Sequence, residues 1–211
     1  MLLDDTYDAF VRSGALLRGE DKERFAEIET ELAQLGLMFS QNELKQTNDF
    51  ELHITNPDDL SGLPDTAKDA AALAAKERGK EGWLFTLHAP SYGPFLTYAD
   101  NRELRKEMYM HYNSRAFGGE FDNQGTIKEI LMLRDSIAKL LGYSNYAAYV
   151  LEERMAENEK NVYDLENKLL KHALPVAKKE MKDLHAIPRR PRFCCCKAYI
   201  LRGLPPATGS A

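Results

Sequence analysis

Three consecutive amphipathic helices are predicted between Asp100 and Met155, and this stretch constrains the fold more than any other part of the chain. In the first helix, apolar residues recur at helical spacing, and the pair Gly118-Gly119 is expected to end it. Asp100 and Glu103 have the spacing of a capping box, in which each carboxylate accepts a hydrogen bond from a free backbone N–H at the helix start. A helix with one apolar face must bury that face, so the stretch predicts part of a helical core.

The second and third helices of this stretch have their own start and stop signals. Thr126 and Glu129 form a second capping box, after which apolar residues recur in steps of three and four. Gly142 lies where a left-handed residue commonly ends a helix. Ser144 is then expected to cap the third helix.

A long helix is predicted earlier in the chain, from about Glu20 to Thr47, after a short helix from Asp4 to Arg12. Its apolar residues form a seam with heptad-like spacing. The seam covers barely two heptads, fewer than a coiled coil needs, so we expect it to pack inside its own bundle; pairing with another chain is the alternative. The seam consists of Phe25, Ile28, Leu32, Leu35 and Phe39.

Two short segments, Phe50–Ile54 and Trp83–Leu87, alternate or cluster apolar residues as β-strands do. They flank a predicted Ala-rich helix from Pro64 to Arg78, and the segment Ala89–Pro94 is expected to be a turn. A final helix is predicted from Asn161 to Leu184. The fold class is therefore mainly α: a multi-helix domain with a small two-strand β element.

Two prolines interrupt the helical pattern in the C-terminal part of the sequence. Pro175 is expected to kink or break the final helix, and Pro188 cannot continue it. From Pro188 onward the chain has no periodic apolar pattern. We therefore divide the chain into a helical region, residues 1–187, and a divergent tail, residues 188–211, predicted to be disordered.

The charge is distributed unevenly and excludes some partners. The whole chain has 28 basic and 33 acidic residues, for a net charge of −5, and the tail holds five basic residues and no acid. The rest therefore has 28 − 5 = 23 basic against 33 acidic residues, or −10. An acidic body argues against nucleic-acid binding. No stretch reaches the ~18 apolar residues that span a bilayer, and the first residues do not resemble a signal peptide, so we expect a cytoplasmic protein without a membrane partner.

The residues that could carry chemistry are few. Three adjacent cysteines, Cys194 to Cys196, could bind a metal, but structural zinc sites normally use spaced pairs with further ligands elsewhere. Three tyrosines could either contact a bound peptide or pack within the protein, and we favour packing. These are Tyr143, Tyr146 and Tyr149.

Several motifs, in the same order, resemble the M3 metallopeptidases, the family of oligopeptidase A, thimet oligopeptidase and peptidyl-dipeptidase. The similar region runs from about Tyr7 to Ile187 and looks nearest to the peptidyl-dipeptidase branch. The motifs are Phe10–Leu17, Phe39–Asn48, Phe85–Ser91, Tyr98–Arg105, Leu133–Arg134, Leu140–Tyr143 and Leu151–Ala156.

The resemblance implies a helical, clam-shell zinc peptidase with a channel for short peptides. Its chemistry requires a His-Glu-x-x-His helix, in which two histidines hold zinc and the glutamate activates the bound water. No two histidines here lie four residues apart, so we predict no catalytic, cofactor-binding or metal-binding residue and no zinc bound by this chain. His88 and His111 are candidates to line the channel, although packing or solvation is the alternative. The five histidines are His53, His88, His111, His172 and His185.

The sequence thus predicts a fragment of an M3 zinc metallopeptidase that forms helical channel wall. The whole enzyme would hydrolyse short peptides as a monomer, whereas the isolated chain would be inactive. We expect an internal fragment whose last residues are foreign, for example read out of frame. The alternative is a non-enzymatic helical interaction module that uses the seam for a partner. A third interpretation is that the isolated chain exposes apolar faces and does not fold stably.

Overall fold

The computed structural model describes residues 2–186. Their secondary structure is mainly helical, with two short strands and one 3-10 turn, Pro57–Leu60. Within these residues, no helix combines the length and the apolar composition that crossing a membrane requires. The elements are α1 (Leu2–Arg12), α2 (Glu20–Asp49), β1 (Leu52–Ile54), α3 (Asp65–Glu77), β2 (Trp83–Phe85), α4 (Ala89–Tyr98), α5 (Arg102–Asn113), α6 (Gln124–Leu140), α7 (Tyr146–Leu151) and α8 (Glu159–Ala186).

The described chain divides into two compact units. Unit one contains the residues up to Gln41 together with Asp122–Lys179. Unit two contains Asn42–Phe121 and the described residues from Glu180 onward. The two-strand sheet belongs to unit two, and each unit has its own apolar core.

The core of unit one forms where the seam of α2 meets α6. Ile28 is fully buried and packs with Leu133 and Ile137, which lie four residues apart on one face of α6. The prediction that this seam packs inside its own bundle is confirmed for its first four residues, whereas Phe39 remains more than one-third exposed. The partly buried residues around this core are Phe25, Leu32, Leu35, Leu140 and Leu141.

The core of unit two is built on an antiparallel pair of strands. β1 pairs with β2 so that Leu52 lies opposite Phe85 and Ile54 opposite Trp83, which confirms both predicted strands. Phe95 of α4 is fully buried, and its ring meets the ring of Phe85 edge to face at a centroid distance of 4.7 Å. The α4 helix is therefore fixed on the sheet by an aromatic pair, an arrangement that adds stability beyond buried area alone.

Gly82 permits the tight entry into β2. Its φ is +90°, and a Cβ atom there would lie 2.4 Å from the Ile54 carbonyl oxygen. No residue other than glycine fits this approach of the two strands without displacing the backbone.

Three predicted helix caps were wrong, because a nearby asparagine takes the capping position. Asn101, rather than Asp100, caps α5 and accepts hydrogen bonds from the N–H groups of Glu103 and Leu104. Asp100 instead accepts a hydrogen bond from the Ser61 hydroxyl at 2.8 Å, so its carboxylate is already engaged.

The other two helices also have an asparagine at the N-cap position, although the side chain of Asn123 makes no capping hydrogen bond. The α6 helix begins after Asn123, which leaves Thr126 buried inside the helix. Asn145, rather than Ser144, caps α7 and accepts from the N–H of Ala148 at 2.8 Å. Gly142 ends α6 with a φ of +85°, as predicted.

The predicted helix lengths around α4, α5 and α8 also need correction. The segment Ala89–Pro94, expected to be a turn, forms most of α4, because Pro90 lies in the first helical turn, where no N–H donor is needed. The α5 helix ends at Asn113, before Gly118. The α8 helix continues through Pro175 as one uninterrupted helix, so the expected break does not occur.

Replacing Phe95 with alanine is expected to lower the free energy of unfolding of unit two by about 3–5 kcal/mol, since the change leaves a cavity in the core. Trp83, the single tryptophan, lies in β2 and provides a fluorescence probe of this unit. The measurement is urea unfolding followed by Trp83 fluorescence. Tyr98→Ala, on the exposed side of the same helix, is the matched control, and an equal loss in both variants would contradict the role of Phe95.

A second prediction concerns Glu51, whose carboxylate forms ion pairs with Arg78 at 2.5 Å and with Lys80. The hydrogen bond from Lys80 is the main cause that lowers the pKa of Glu51. A lowered pKa means that the ionised form is favoured in the folded state, so this stabilisation is present at neutral pH and is lost as the pH falls through the acid range.

Glu51→Gln should therefore lower the free energy of unfolding by about 0.5–1 kcal/mol at neutral pH, since the pair is partly exposed. The difference from the wild-type chain should shrink as the pH falls below the ordinary pKa of a glutamate side chain, because Glu51 then becomes protonated. Urea unfolding at several pH values measures it, and a difference that does not change with pH would assign the effect to packing.

Candidate functional site

A groove of about 220 Å³ lies in unit two between α3, β2 and α4. Its α3 side is formed by small residues, among them Ala67, Ala70 and Ala74. The hydroxyl of Ser91 accepts a hydrogen bond from the N–H of Thr86 at 3.0 Å, so this polar group is engaged in the fold. None of the residues that line the groove is titratable, and the groove therefore lacks the acid and the base that would be needed to activate its serine and threonine hydroxyls for hydrolysis.

The described histidines do not converge with carboxylates or thiols. Among the residues that the structure describes, no group of three His, Cys, Asp or Glu side chains could hold a metal ion. His53 lies on β1, and its Nε2 is 2.6 Å from the Glu81 carbonyl oxygen. The cysteine triplet Cys194–Cys196, which was considered as a metal site, lies outside the described residues.

The two histidines proposed for the channel both lie in unit two. The carbonyl of His88 accepts hydrogen bonds at the start of α4 from Ser91 and Tyr92, both at 2.9 Å. The ring of His111 packs on the ring of Phe50 with 4.5 Å between centroids. The ring contact of His111 fits the packing interpretation, and a channel role for either residue remains a prediction.

The densest polar cluster of unit one surrounds Arg12, at the end of α1. Its side chain is 11% exposed and forms ion pairs with Glu152 and, at 2.8 Å, with Glu153. The guanidinium also donates to the carbonyl oxygen of Tyr149 at 2.6 Å and to the hydroxyl of Tyr143 at 3.1 Å. We call these five residues the Arg12 cluster.

The rings of the Arg12 cluster explain the tyrosine pattern in the sequence. The guanidinium carbon of Arg12 lies 4.3 Å from the centroid of Tyr149, close enough for a cation–π interaction. Tyr143 and Tyr149 meet edge to face at 5.2 Å, and Tyr146 lies 5.7 Å from Tyr149. These contacts support packing rather than peptide binding as the role of the three tyrosines.

The cluster also changes the acidity of its phenols. The hydrogen bond to the Glu152 carboxylate, followed by burial, raises the pKa of Tyr143. Burial is the main cause that raises the pKa of Tyr149, and it outweighs the opposing effect of Arg12. Both phenols are therefore held neutral at physiological pH, which suits a structural cluster and not a nucleophile.

Arg115 organises a corresponding polar cluster in unit two. Its guanidinium pairs with Glu43 at 3.1 Å, donates to the hydroxyl of Thr47 at 2.9 Å and lies 4.0 Å from the ring centroid of Tyr112. The ring of Tyr112 stacks on Tyr92 at 4.0 Å. The contacts of Arg115 hold the chain at the end of α5 against the C-terminal part of α2, and the stacked tyrosines hold α5 against α4.

Arg105 is the most buried charged residue of the described chain, and it too belongs to unit two. One guanidinium nitrogen donates to the carbonyl oxygen of Ala99, at the C-terminal end of α4, where a cation is favoured by the helix dipole. The other terminal nitrogen is buried without a hydrogen-bond partner in the protein.

Sequence reasoning missed all three of these arginines. Two of them lie inside motifs that carried the family resemblance: Arg12 in Phe10–Leu17 and Arg105 in Tyr98–Arg105. The glutamates that pair with Arg12 belong to another such motif, Leu151–Ala156, so the structure brings two distant motifs together. A search for opposite charges within those motifs could have suggested the pairing.

Comparison with known proteins identifies the family. The model of peptidase family M3 matches residues 95–197. Oligopeptidase A of Salmonella typhimurium is 41% identical over 189 residues, which is 87% of this chain and 28% of that enzyme. Oligopeptidase A of Escherichia coli is 40% identical over the same shares of the two chains. The chain belongs to the M3 peptidase family.

The branch of the family expected from the motifs was wrong. The dipeptidyl carboxypeptidases of S. typhimurium and E. coli are 32% and 26% identical to the chain, against 40–41% for oligopeptidase A. The M3 chain is therefore oligopeptidase A-like. It spans less than a third of the length of these relatives. The family match also extends past residue 187, where the domain boundary was predicted, and that boundary remains a prediction.

The family is zinc-dependent, but the described residues of this chain do not fit a zinc site. A catalytic zinc needs three protein ligands from histidine, cysteine or carboxylate side chains, and the described part of the chain offers no such group. No chemical step is therefore assigned to these residues.

Arg12→Gln is expected to lower the free energy of unfolding of unit one by about 1–3 kcal/mol, because the mostly buried arginine side chain loses its ion pairs and its charge-assisted hydrogen bonds to Tyr149 and Tyr143. Urea unfolding followed by circular dichroism measures the loss. The matched control is Arg24→Gln, which removes an exposed ion pair with Glu27 and should change stability by less than about 0.5 kcal/mol. Equal effects would mean that the Arg12 cluster is no more stabilising than a surface pair.

Proposed function

We propose that this chain is a non-catalytic, helical part of an oligopeptidase A-type zinc metallopeptidase that hydrolyses short peptides. The observation that carries the proposal is the 40–41% identity to oligopeptidase A along 87% of the chain. The chemistry itself needs a zinc ion and an activated water, which the described residues cannot hold. In this proposal the chain forms wall and scaffold, and polypeptide elsewhere in the enzyme supplies the zinc ligands.

The arrangement of polar groups supports a scaffold role. Arg12 and Arg115 are both bound by carboxylates and aromatic rings of their own unit, so neither is available to hold a substrate carboxylate. The groove of unit two has no titratable lining residue. These features stabilise helices and position surfaces without providing a reactive group.

Further parts of the proposal follow from the family. Short peptides are the substrates of the whole enzyme, which acts as a monomer in the cytoplasm, and the isolated chain binds no zinc. Oligopeptidase cleavage is favoured over release of C-terminal dipeptides, since identity to oligopeptidase A exceeds identity to the dipeptidyl carboxypeptidases.

An interaction module remains the rival function, but its basis was the apolar seam of α2. Phe25, Ile28, Leu32 and Leu35 pack with α6 in the core of unit one, so little of the seam is free for a partner. This packing favours the peptidase proposal.

The isolated chain is expected to hydrolyse no short peptide. The assay uses internally quenched peptides with added zinc, and the chain is produced in a host that lacks its own oligopeptidase A. Oligopeptidase A of E. coli serves as the positive control. Hydrolysis that copurifies with the chain and stops on addition of a chelator would contradict the non-catalytic role, as would one equivalent of zinc retained after dialysis.

A further inference from the structure

The α8 helix presents a wide apolar face that the described chain does not cover. Of its described side chains, only Val162 and Met181 are even half-buried. Six large apolar side chains within it are between 42% and 63% exposed. A helix in a folded protein gains most of its stability by burying such a face, so this one lacks its packing partner. The six are Tyr163, Leu165, Leu169, Leu170, Leu174 and Val176.

The charges of α8 are separated from this face. With about 3.6 residues per turn, the six apolar side chains cover roughly half of the helix circumference. The lysines of the helix up to residue 179 all fall on the opposite half. They are Lys160, Lys168, Lys171, Lys178 and Lys179.

Three acidic residues of α8 lie on the apolar half, namely Glu159, Glu166 and Glu180. A second copy of the chain docked on this face would present the same acidic residues, because a twofold interface pairs one patch with itself. These carboxylates would then have no cationic partner from either helix, which disfavours self-association. The occupant of the face must instead supply apolar side chains together with at least one basic residue.

The rest of an M3 peptidase is a partner of this kind. The oligopeptidase A relatives contain far more polypeptide than the 28% that this chain matches. The α8 helix lies inside the range that the family model matches, so its face belongs to the family-related part of the chain. A face this large and apolar on a monomeric enzyme needs such cover to avoid aggregation.

We propose that the apolar face of α8 is the surface on which the remaining polypeptide of an M3 peptidase docks, with a basic residue of that polypeptide opposite Glu166. This inference deepens the proposed function and rests on it. It also implies that the chain can associate with such a polypeptide supplied as a separate molecule.

The test mixes the full chain with E. coli oligopeptidase A from which the matched segment has been deleted, after circular dichroism has shown that this complement is folded. Sedimentation velocity measures the complex. Leu169→Lys should weaken association at least about tenfold, because a lysine would be buried among apolar side chains. Asn167→Lys makes the same charge change on the other half of the helix and should bind like the wild-type chain. Leu169 is well exposed, so neither variant should alter the helical signal of the chain.

A one-to-one complex with this pattern of variants supports the proposal. Failure of the wild-type chain to bind the folded complement overturns it, and so does equal binding by both lysine variants, which would place the contact elsewhere. A mass that rises with concentration in the chain alone and is lost in Leu169→Lys would assign the face to a second copy. The peptide assay on the chain alone is independent of these results: hydrolysis there defeats the proposed function, whereas failed docking without hydrolysis defeats this inference only.

Discussion

The edge-to-face contact between Phe85 and Phe95 is the interaction on which unit two depends. It joins a three-residue strand to a ten-residue helix, neither of which is long enough to be stable alone. Once the two rings are buried, β1 follows through its pairing with β2, and α5 follows through the buried Met108. Unit one does not depend on such short elements, since the long α2 and α6 helices supply a continuous apolar face around Ile28.

Sequence patterns identified the elements well where a long apolar period was present. The α2, α3 and α6 helices and both strands were predicted, because their periodicity reflects the faces that pack. The caps were less accurate: at α5 and α7 the sequence offered two polar residues in succession, and at α5 a tertiary contact decided between them. The carboxylate of Asp100 accepts a hydrogen bond from Ser61, and Asn101 is therefore the residue that caps α5. The prolines and glycine of α4 resemble a turn locally, but Pro90 is tolerated in the first helical turn and burial of Phe95 stabilises the helix on the sheet.

The polar clusters could not be predicted from local pattern. Arg12 and its partner Glu152 are 140 residues apart in sequence, and no spacing rule connects them. The absence of the motif His-Glu-x-x-His, by contrast, was readable directly from the sequence, and among the residues that the structure describes no group of three His, Cys, Asp or Glu side chains could hold a metal ion. Family membership rested on the order of several motifs and is supported by identity to oligopeptidase A, whereas the choice of branch required the comparison itself.

The order of the two units along the chain has a kinetic consequence. Asn42–Phe121 is one continuous segment, whereas the two parts of unit one lie on either side of it. The contacts of unit two are therefore mostly short in sequence, while the Ile28 core and the Arg12 cluster each require closure of a loop of about one hundred residues or more. Because short-range contacts form faster, unit two can serve as a folded insert that shortens the effective loop before unit one assembles. A nascent chain leaving the ribosome would thus hold most of α2 without its core until α6 had been synthesised.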